Sequence, residues 1–337
     1  MNADITIKDV ARQANVSIST VSRVLNGLDR VSSKTRKKVL KVIEDMSYVP
    51  NNVAVSMVKK QTKMIVVMVP DIINPFYTSL IQGTEEVAKA MGYFTLVFST
   101  NDDETEEREF FSGVLSKTVD GIITVSSSKT LDFYKSFSKP VVLVDRYIEN
   151  CGLDGVVIDN FGGAYQAAKN LLEMGHKKIA IINGSLDFNI GKERLWGFEQ
   201  ALRDYKVPII SEYIKQGDWY EDNGYSSMVD LLKMSDPPTA VFASNNLICV
   251  GAIKALYDLN IRIGEEISIV GFDENELAEF TRPKITVVNR PTFKMGKTAA
   301  RMLLDKIKGN RESDASQKIT LSTELITRGS VKKIDRL

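Results

Sequence analysis

The sequence contains few of the residues on which disulfide-rich folds and metal sites depend. It has two cysteines, Cys151 and Cys249, and a single histidine, His176. The cysteines lie far apart among apolar neighbours, so neither a disulfide framework nor a Cys/His metal-ligand spacing is present. We therefore expect a reducing compartment, no metal and no other cofactor.

Long apolar runs are also missing. No stretch approaches the run of about 18 residues expected of a membrane span. The first ten residues, MNADITIKDV, lack the apolar segment of a secretory signal. These absences predict a cytoplasmic protein with no membrane contact.

Signatures of catalysis are equally scarce. The sequence has no P-loop, no GxGxxG loop and no G-x-S-x-G elbow. His176 precedes Lys177 and Lys178 at a predicted helix–strand junction, where a solvated surface role is expected. We therefore expect that the chain is not an enzyme.

Charge is balanced over the chain but not along it. The 337 residues include 44 basic and 43 acidic ones, a net charge of +1. Residues 1–63 alone contain twelve Lys/Arg and five Asp/Glu. A basic first segment on an acidic remainder indicates a polyanionic partner for the first segment only.

The basic segment begins with two predicted short helices, in the stretch from Ile5 to Asn26, separated at Asn15-Val16. Apolar residues recur at helical spacing on both sides of this break. Thr6 and Ser17 are suited to accept from backbone N–H groups at the two helix starts. Helices joined by so short a turn cross steeply, which is the geometry of a helix-turn-helix DNA-binding motif.

The second of these helices has a polar outer face. Short hydroxyl and amide groups there can reach phosphates and base edges, and Arg23 can pair with guanine. The face comprises Ser17, Ser19, Thr20, Ser22, Arg23 and Asn26. A solvated helical hairpin with ordinary caps is the alternative interpretation.

Two further segments follow before the composition changes. Ser32 or Ser33 can cap a third helix that runs to about Met46, with basic residues that are either phosphate contacts or a solvated face. Residues 51–60 are too short for a stable isolated helix. They are either a segment that orders on DNA or an interdomain linker, and the sequence alone favours the linker.

From Met64 apolar strands alternate with amphipathic helices. The predicted strands are Met64–Pro70, Tyr93–Ser99, Gly121–Ser126, Val141–Asp145, Val156–Asp159, Lys178–Asn183, Ala240–Ser244, Ile267–Phe272 and Ile285–Asn289. The predicted helices are Thr78–Met91, Glu104–Lys117, Phe161–Met174, Lys192–Tyr205, Gly224–Met234, Leu247–Leu259 and Phe293–Lys308. Nine strands are many for one doubly wound sheet, so we expect two parallel sheets in two lobes with a ligand between them.

Ordered motifs along nearly the whole chain resemble one family. They include TIKDVA, VSISTVSRVLN, YVPNNVA, NPFY, VDGIIT, GHKKIAII, ERLWGF, PPTAVFASNN and ISIVGFD. On these motifs the chain resembles the lactose/galactose repressor family of bacterial transcription factors. The resemblance implies an α/β fold in which an all-α helix-turn-helix head precedes a two-lobed core, like that of periplasmic binding proteins, built from doubly wound parallel sheets.

The resemblance also implies domain limits. It places the head at residues 1–49, a hinge helix at 50–61 and the effector-binding and dimerisation core at 62–337. Within the core, one lobe comprises about 62–158 and 291–321, and the other about 159–289 and 322–337.

Carried over position by position, the resemblance implies three kinds of DNA contact. Ile18, Ser19 and Arg23 correspond to readers of major-groove bases. The hinge positions Ala54 and Met57 face the minor groove, where relatives usually have leucine in place of this methionine. The remaining implied DNA-binding residues are Thr6, Ser17, Thr20, Ser22, Asn26 and Asn51.

An effector pocket between the lobes is implied in the same way. The matching positions are Asn74, Phe76, Asp145, Arg146, Asn189, Arg194, Trp219, Asn246, Asp273 and Asn289. Aromatic faces and polar groups in a cleft suit a polyol. The alternatives are core packing for Phe76 and Trp219, an intersubunit or surface salt bridge for Arg194, and local backbone capping for the two aspartates.

Asn246 departs from the aspartate that the resemblance leads us to expect in sugar-responsive relatives. An amide keeps the hydrogen bonding and removes a negative charge beside Arg146 and Arg194, which favours an anionic ligand. We therefore expect a sugar acid as effector in preference to a neutral sugar.

The expected function is that of a homodimeric repressor of carbohydrate or sugar-acid catabolic genes. It binds a palindromic operator, and a small effector in the interlobe cleft controls its affinity. One alternative is a global regulator of the same family with a phosphocarrier protein as corepressor. A solute-binding sugar receptor is the alternative from another class.

Overall fold

The computed structural model describes residues 5–25, 27, 30–48, 61–130, 132–274, 276–310 and 315–334. The chain divides into two compact units, Met1–Thr62 and Lys63–Leu337. The predicted contact residues Asn26, Asn51, Ala54 and Met57 lie outside the described residues, as does nearly all of the hinge segment 50–61.

The described residues of the first unit form three helices, Ile7–Gln13, Ile18–Leu25 and Ser33–Asp45. Their apolar faces meet in one small core, which is why each helix is amphipathic in sequence. Val10, Val21 and Val39, one from each helix, are fully buried there. The helical head predicted from periodicity is confirmed.

The part of the second unit that the structure describes contains twelve strands in two sheets. The strands are β1 Met64–Val69, β2 Phe94–Ser99, β3 Gly121–Thr124, β4 Val141–Val144, β5 Asp154–Ile158, β6 Ile179–Asn183, β7 Ile214–Gln216, β8 Ala240–Ala243, β9 Ser268–Phe272, β10 Thr286–Asn289, β11 Lys318–Leu321 and β12 Glu324–Ile326. The first sheet has the order β11-β5-β4-β3-β1-β2 and the second β12-β10-β9-β8-β6-β7. Two α/β lobes, each with its own sheet, confirm the predicted fold class.

Helices cover the sheets and connect their strands. They are Pro75–Ala90, Glu104–Ser112, Val114–Thr118, Asp132–Ser136, Asn160–Glu173, Asn189–Asp204, Glu221–Leu232, Asn246–Asp258, Glu276–Phe280 and Thr292–Ile307, with a 3₁₀ turn at Ser211–Tyr213. The central strands of both sheets are buried throughout, except for Met64 at the start of β1. Parallel strands covered on both faces have this continuous apolar character.

The chain passes between the two sheets three times. It leaves the first sheet after β5 and returns from β10 through Arg290 and Pro291, and it crosses again between β11 and β12. The carboxyl ends of the strands therefore face one another across a cleft, and the crossing segments lie beside it.

Several local predictions were wrong. The single helix Glu104–Lys117 is two helices, because Gly113 has an extended ψ of 177°. Strands β7, β11 and β12 were missed, since three or four residues at a sheet edge carry little periodic signal. The expectation of purely parallel sheets also fails at one pair, because β12 runs antiparallel to β10.

The surface role expected for His176 is contradicted as well. The imidazole is buried, with Nδ1 2.9 Å from the hydroxyl of Thr239 and Nε2 3.1 Å from the backbone carbonyl of Lys332. Burial lowers the pKa of His176 from 6.5 to about 4. The histidine joins the segment near the C-terminus to the second lobe.

This lowered pKa predicts a pH-dependent stability. Between pH 6.5 and about 4 the unfolded chain binds a proton at His176 that the folded chain does not, so stability falls as the pH falls through this window. The expected loss is of order 3 kcal/mol once the pH is below about 4. Urea unfolding at several pH values should show it. The variant H176Q should be less stable at pH 7 but should lose less stability on acidification, and parallel pH profiles for the two proteins would contradict the assignment.

Candidate functional site

The three-helix head presents a polar surface on its second helix. Ser19 and Arg23 are exposed on the face opposite the core residues Val21 and Val24, and Ile18 is exposed at the border of the core face, three residues before Val21. Ile18 is 46% exposed at the helix start, unusual for an isoleucine that has a core beside it. An apolar side chain next to hydroxyls and a guanidinium has the chemistry of a base-reading surface.

Local hydrogen bonds set where these two helices begin. The Ser17 hydroxyl accepts from the N–H of Thr20 at 3.2 Å and lies 2.8 Å from the Ser19 hydroxyl. The Asp9 carboxylate accepts from the N–H and the hydroxyl of Thr6, at 3.0 and 2.6 Å. Asn15 makes the turn between the helices with a φ of +48°, which asparagine tolerates better than most residues. The start of the second helix is thereby fixed relative to the first.

The second unit has a small cavity in the cleft between its lobes. Its volume is about 30 Å³, which leaves space for one or two water molecules. Seven of the predicted effector residues line it, namely Asn74, Phe76, Asp145, Arg146, Arg194, Trp219 and Asn246. An outer pocket of about 740 Å³ shares Asp71, Asn74, Tyr220, Asn246 and Leu247 with this cavity, so it lies at the cavity's outer side.

Arg290 fills the cleft next to the cavity. Its Nε and Nη2 donate to the two carboxylate oxygens of Asp273, the second at 2.8 Å. Its Nη1 donates to Oδ1 of Asp145 at 2.6 Å, and its guanidinium lies 3.6 Å from the ring centroid of Phe76. Burial alone lowers the pKa of Arg290, but the two carboxylates outweigh burial and raise it. The charge is therefore permanent.

Arg146 is neutralised in a similar way. Its Nη1 and Nη2 donate to the carboxylate of Asp102, the second at 3.2 Å, and Nη1 also donates to the carbonyl of Ser126. Its guanidinium lies 4.2 Å from the ring centroid of Phe188, which belongs to the other lobe. Arg146 thus has a carboxylate partner before any ligand is considered.

Arg194 differs from both. Its Nε donates to Oδ1 of Asn160 at 2.9 Å and its Nη1 to the carbonyl of Ser244 at 2.5 Å, while its buried Nη2 has no partner among the described residues. Burial, followed by the positive charge of Arg290, lowers the pKa of Arg194 to about 10. The side chain is nearly fully buried, which excludes the surface salt bridge considered for it. Arg194 is therefore a buried cation bonded only to neutral oxygens.

Trp219 lies beside Arg194, with the guanidinium 5.7 Å from its ring centroid. The ring covers Gly184, where any Cβ would collide with it. The indole Nε1 is buried and has no acceptor among the residues that the structure describes. Three donors on cavity-lining residues, Arg146 Nε, Arg194 Nη2 and Trp219 Nε1, thus have no acceptor among the described residues. Buried donors of this kind call for an acceptor.

Two amides connect the lobes at the other side of the cavity. Asn246 Nδ2 donates to Oδ1 of Asn74 at 2.8 Å, and the same oxygen accepts from the N–H of Phe76 at 3.0 Å. Asn74 and Asn246 lie at the first turns of helices from different lobes. Because Asn74 offers an oxygen there, its partner must be a donor, which an asparagine at position 246 provides and an aspartate would not.

The remaining three predicted positions lie outside the cavity lining. Asn189 connects the lobes elsewhere, since its Oδ1 accepts from the N–H of Tyr147 at 3.3 Å. Asp273 and Asn289 line a separate pocket of about 400 Å³ on the crossing side of the cleft. Asp273 joins the cavity only through Arg290.

The sequence reasoning missed several cavity residues. They are Pro70, Asp71, Tyr77, Asp102, Ile190, Tyr220, Asn245, Leu247 and Arg290. The sequence pattern could have indicated Arg290. A cation directly after a predicted strand lies at the strand's carboxyl end, where Asp145 and Asp273 also lie. Asp102 had none, since it lies in a turn whose side-chain direction the sequence does not show.

The described residues contain neither a membrane-spanning helix nor a metal-binding group of acidic, His and Cys side chains. No helix among them is long and apolar enough to cross a bilayer. No cluster of three or more such side chains in these ranges could hold a metal ion.

A helix-turn-helix head followed by a two-lobed core with a polar cleft is the architecture of a DNA-binding regulator. Residues 6–51 match the family model described as bacterial regulatory proteins, lacI family. Residues 168–331 match a periplasmic binding protein-like domain.

Whole-chain comparisons agree with this class. The chain is 38% identical over 336 residues to the HTH-type transcriptional regulator DegA of Bacillus subtilis, covering 98% of this chain and 99% of the relative. It is 34% identical over 333 residues to catabolite control protein A of Priestia megaterium, covering 98% and 100%. A solved complex of the transcriptional regulator CelR with cellobiose superposes with a TM-score of 0.73 at 31% identity, covering 97% and 99%. The chain belongs to the LacI family of bacterial transcription regulators. It is a DNA-binding regulator and not an enzyme.

The interlobe pair of amides makes a specific prediction. The substitution N246D should place a carboxylate against Asn74 Oδ1, removing a buried hydrogen bond and opposing two acceptors. We expect a loss of about 1–3 kcal/mol in the free energy of unfolding, measured by urea titration. N150D makes the same change at an exposed loop position and should stay within about 0.5 kcal/mol of the parent. Equal effects of the two substitutions would show that the amide pair contributes no stability.

Proposed function

We propose that this chain is a homodimeric repressor that binds a palindromic operator in the bacterial cytoplasm. A small anionic or polyhydroxylated effector in the interlobe cleft controls its DNA affinity. The observation that carries the effector part is the presence of three unsatisfied buried donors, Arg146 Nε, Arg194 Nη2 and Trp219 Nε1, on residues that line a cavity between two lobes.

The helix Ile18–Leu25 is proposed as the reader of the major groove. The exposed Ile18 suits a thymine methyl group, Arg23 suits guanine, and Ser19 is a less discriminating partner. The neighbouring hydroxyls of Ser17, Thr20 and Ser22, with Thr6 and Asn26, are proposed for phosphate contacts. One such helix reads only half of a palindrome, so two heads are required.

An exposed apolar sheet edge supports the dimer. Strand β2 is the edge strand of the first sheet, and its Phe94, Leu96 and Val97 are exposed. Ile73, in the loop after β1, is 84% exposed. Soluble monomers seldom leave an apolar edge strand uncovered, because it pairs with other chains. A second copy of the chain is the proposed cover.

The class of effector follows from the state of the three buried arginines. Arg146 and Arg290 each have carboxylate partners, whereas Arg194 is bonded only to neutral oxygens. A ligand carboxylate would neutralise the charge of Arg194 and accept a hydrogen bond from its free Nη2. We therefore propose a sugar acid, such as a hexonate or a keto-deoxy acid. The cellobiose complex of a similar regulator supports a carbohydrate-like ligand in general.

A second candidate is a global regulator with a phosphorylated carrier protein as corepressor. The 34% identity to a protein named catabolite control protein A supports this second candidate. Pull-down of the phosphorylated and unphosphorylated carrier with the purified chain separates the two candidates.

The proposed hinge wedge gives a prediction about Met57. Replacing it with lysine should remove an apolar side chain from the central minor-groove step while adding a charge that favours any DNA. We expect operator affinity to fall roughly tenfold or more with little loss on random DNA, measured by gel shift at one fixed salt concentration. M57L, which keeps an apolar wedge, is the control. Equal losses on operator and random DNA would contradict the wedge.

The proposed effector site gives a prediction about Arg194. The substitution R194A should abolish the effector response while operator binding persists, because the head and the cleft are in different units. D-gluconate and D-glucose, which differ at one carbon, are suitable probes for calorimetry on the whole chain. We expect binding of the acid only, lost in R194A. Binding of the neutral sugar alone would refute the sugar-acid assignment, and loss of operator binding in R194A would refute the separation of roles.

A further inference from the structure

Arg290 makes the most deeply buried charged connection between the lobes in the described residues. The residue lies in a crossing segment, directly after β10 of the second sheet. Asp273, which follows β9 of the same sheet, holds the guanidinium through two hydrogen bonds. Asp145 and Phe76 belong to the other lobe, and the same guanidinium contacts both of them. The second lobe thus fixes the arginine, and the first lobe binds it.

The burial of this connection sets it apart from another ion pair between the lobes. The side chains of Arg290, Asp145 and Asp273 are at most 5% exposed. Lys129 and Asp187 also join the two lobes, at 2.7 Å, but their side chains are 55% and 54% exposed. An exposed pair is screened by water and contributes little, whereas separating a buried pair leaves charges without compensation. The closed arrangement of the two lobes should therefore depend on Arg290 far more than on Lys129.

The hydrogen bonds of Arg290 are those that a polyhydroxylated ligand would otherwise make. Asp145 and Asp273 are strand-end carboxylates on opposite sides of the cleft, and hydroxyl groups bridging them would draw the lobes together. Here a side chain of the chain itself bridges them, and the remaining cavity is only about 30 Å³. The inner part of the cleft, beside Arg290, is closed with its carboxylates already satisfied, and the outer pocket of about 740 Å³ remains as empty space.

We propose that Arg290 is an internal ligand that closes the lobes without an effector, so that an effector must displace it from Asp145 to enter. The displacement of Arg290 by an effector rests on the proposed function, in which the cleft is the effector site. The closure of the lobes by Arg290 does not depend on that function. A neutral polyol whose hydroxyl groups bind the carboxylates of Asp145 and Asp273 competes directly with the guanidinium of Arg290. A ligand that binds Arg194 and Trp219 first competes only where it meets Asp145.

The two tryptophans of the chain provide a test that needs no effector. Trp219 is 7% exposed at the cavity, and Trp196 is 56% exposed on the helix Asn189–Asp204. In a W196F background Trp219 is the only tryptophan. Quenching of its fluorescence by acrylamide then reports whether the cleft is open. The full-length chain is used throughout.

Three variants in this background separate the proposal from a local defect. R290Q removes the bridging charge. D145N keeps the volume of the side chain and leaves the hydrogen bonds between Arg290 and Asp273 in place. It therefore weakens only the connection between the lobes. K129A removes the exposed ion pair as the matched control. We expect the quenching constant to rise about threefold or more in R290Q and about twofold in D145N, with no change in K129A.

Other results would overturn the proposal. Quenching constants equal to that of the parent in D145N, or in a folded R290Q, would show that the cleft stays closed without the bridge. An equal rise in K129A would show that any interlobe contact suffices. If R290Q fails to fold, D145N decides alone. Failure of the parent to bind operator would instead refute the proposed function, and the quenching result would be unaffected.

Discussion

The structure of the cleft depends on the neutralisation of charges that have been taken out of water. Three arginines and three aspartates meet at the carboxyl ends of the two sheets, and all but Asp102 are nearly fully buried. Transfer of an unpaired charge into such a site costs several kcal/mol. The side chains are therefore ordered in pairs, Arg146 with Asp102 and Arg290 with both Asp145 and Asp273. Arg194 remains as the charge whose carboxylate partner is missing.

The topology explains why these charges come together. Strand ends of parallel sheets point to one edge, and three crossings of the chain hold the two edges face to face. Asp145 and Asp273 leave their strands with φ values of +65° and +76°. Non-glycine residues occupy this region at some cost, and they do so mostly where the surrounding structure requires it. Both carboxylates bond to Arg290, so this charge pairing offsets the cost of the backbone conformation at Asp145 and Asp273.

The periodicity of apolar residues in the sequence predicts much of the fold, but it predicts less of the candidate site. Long buried strands such as β1 and β9 are continuous apolar runs, and the head helices repeat every three to four residues. Edge strands of three residues and the buried His176 escape this reasoning, because tertiary contacts decide them. Family resemblance placed Arg194 and Trp219 beside the cavity, but it did not include Arg290. A residue in a crossing segment has no periodic pattern, and its partners come from strands distant in sequence.

An internal ligand changes what the cleft can select. Any effector acts only through its difference in affinity for the closed and open arrangements of the lobes. With Arg290 in place, closure is already stabilised, so a ligand that merely bridges the lobes replaces one set of contacts with another and shifts little. A ligand gains more at Arg194 Nη2 and Trp219 Nε1, where no protein acceptor competes. Discrimination between ligands should therefore arise on the Arg194 side, while Arg290 sets how much binding free energy is needed before the lobes respond. A neutral residue at position 290 would reverse this order, because free carboxylates would then bind sugar hydroxyls most strongly.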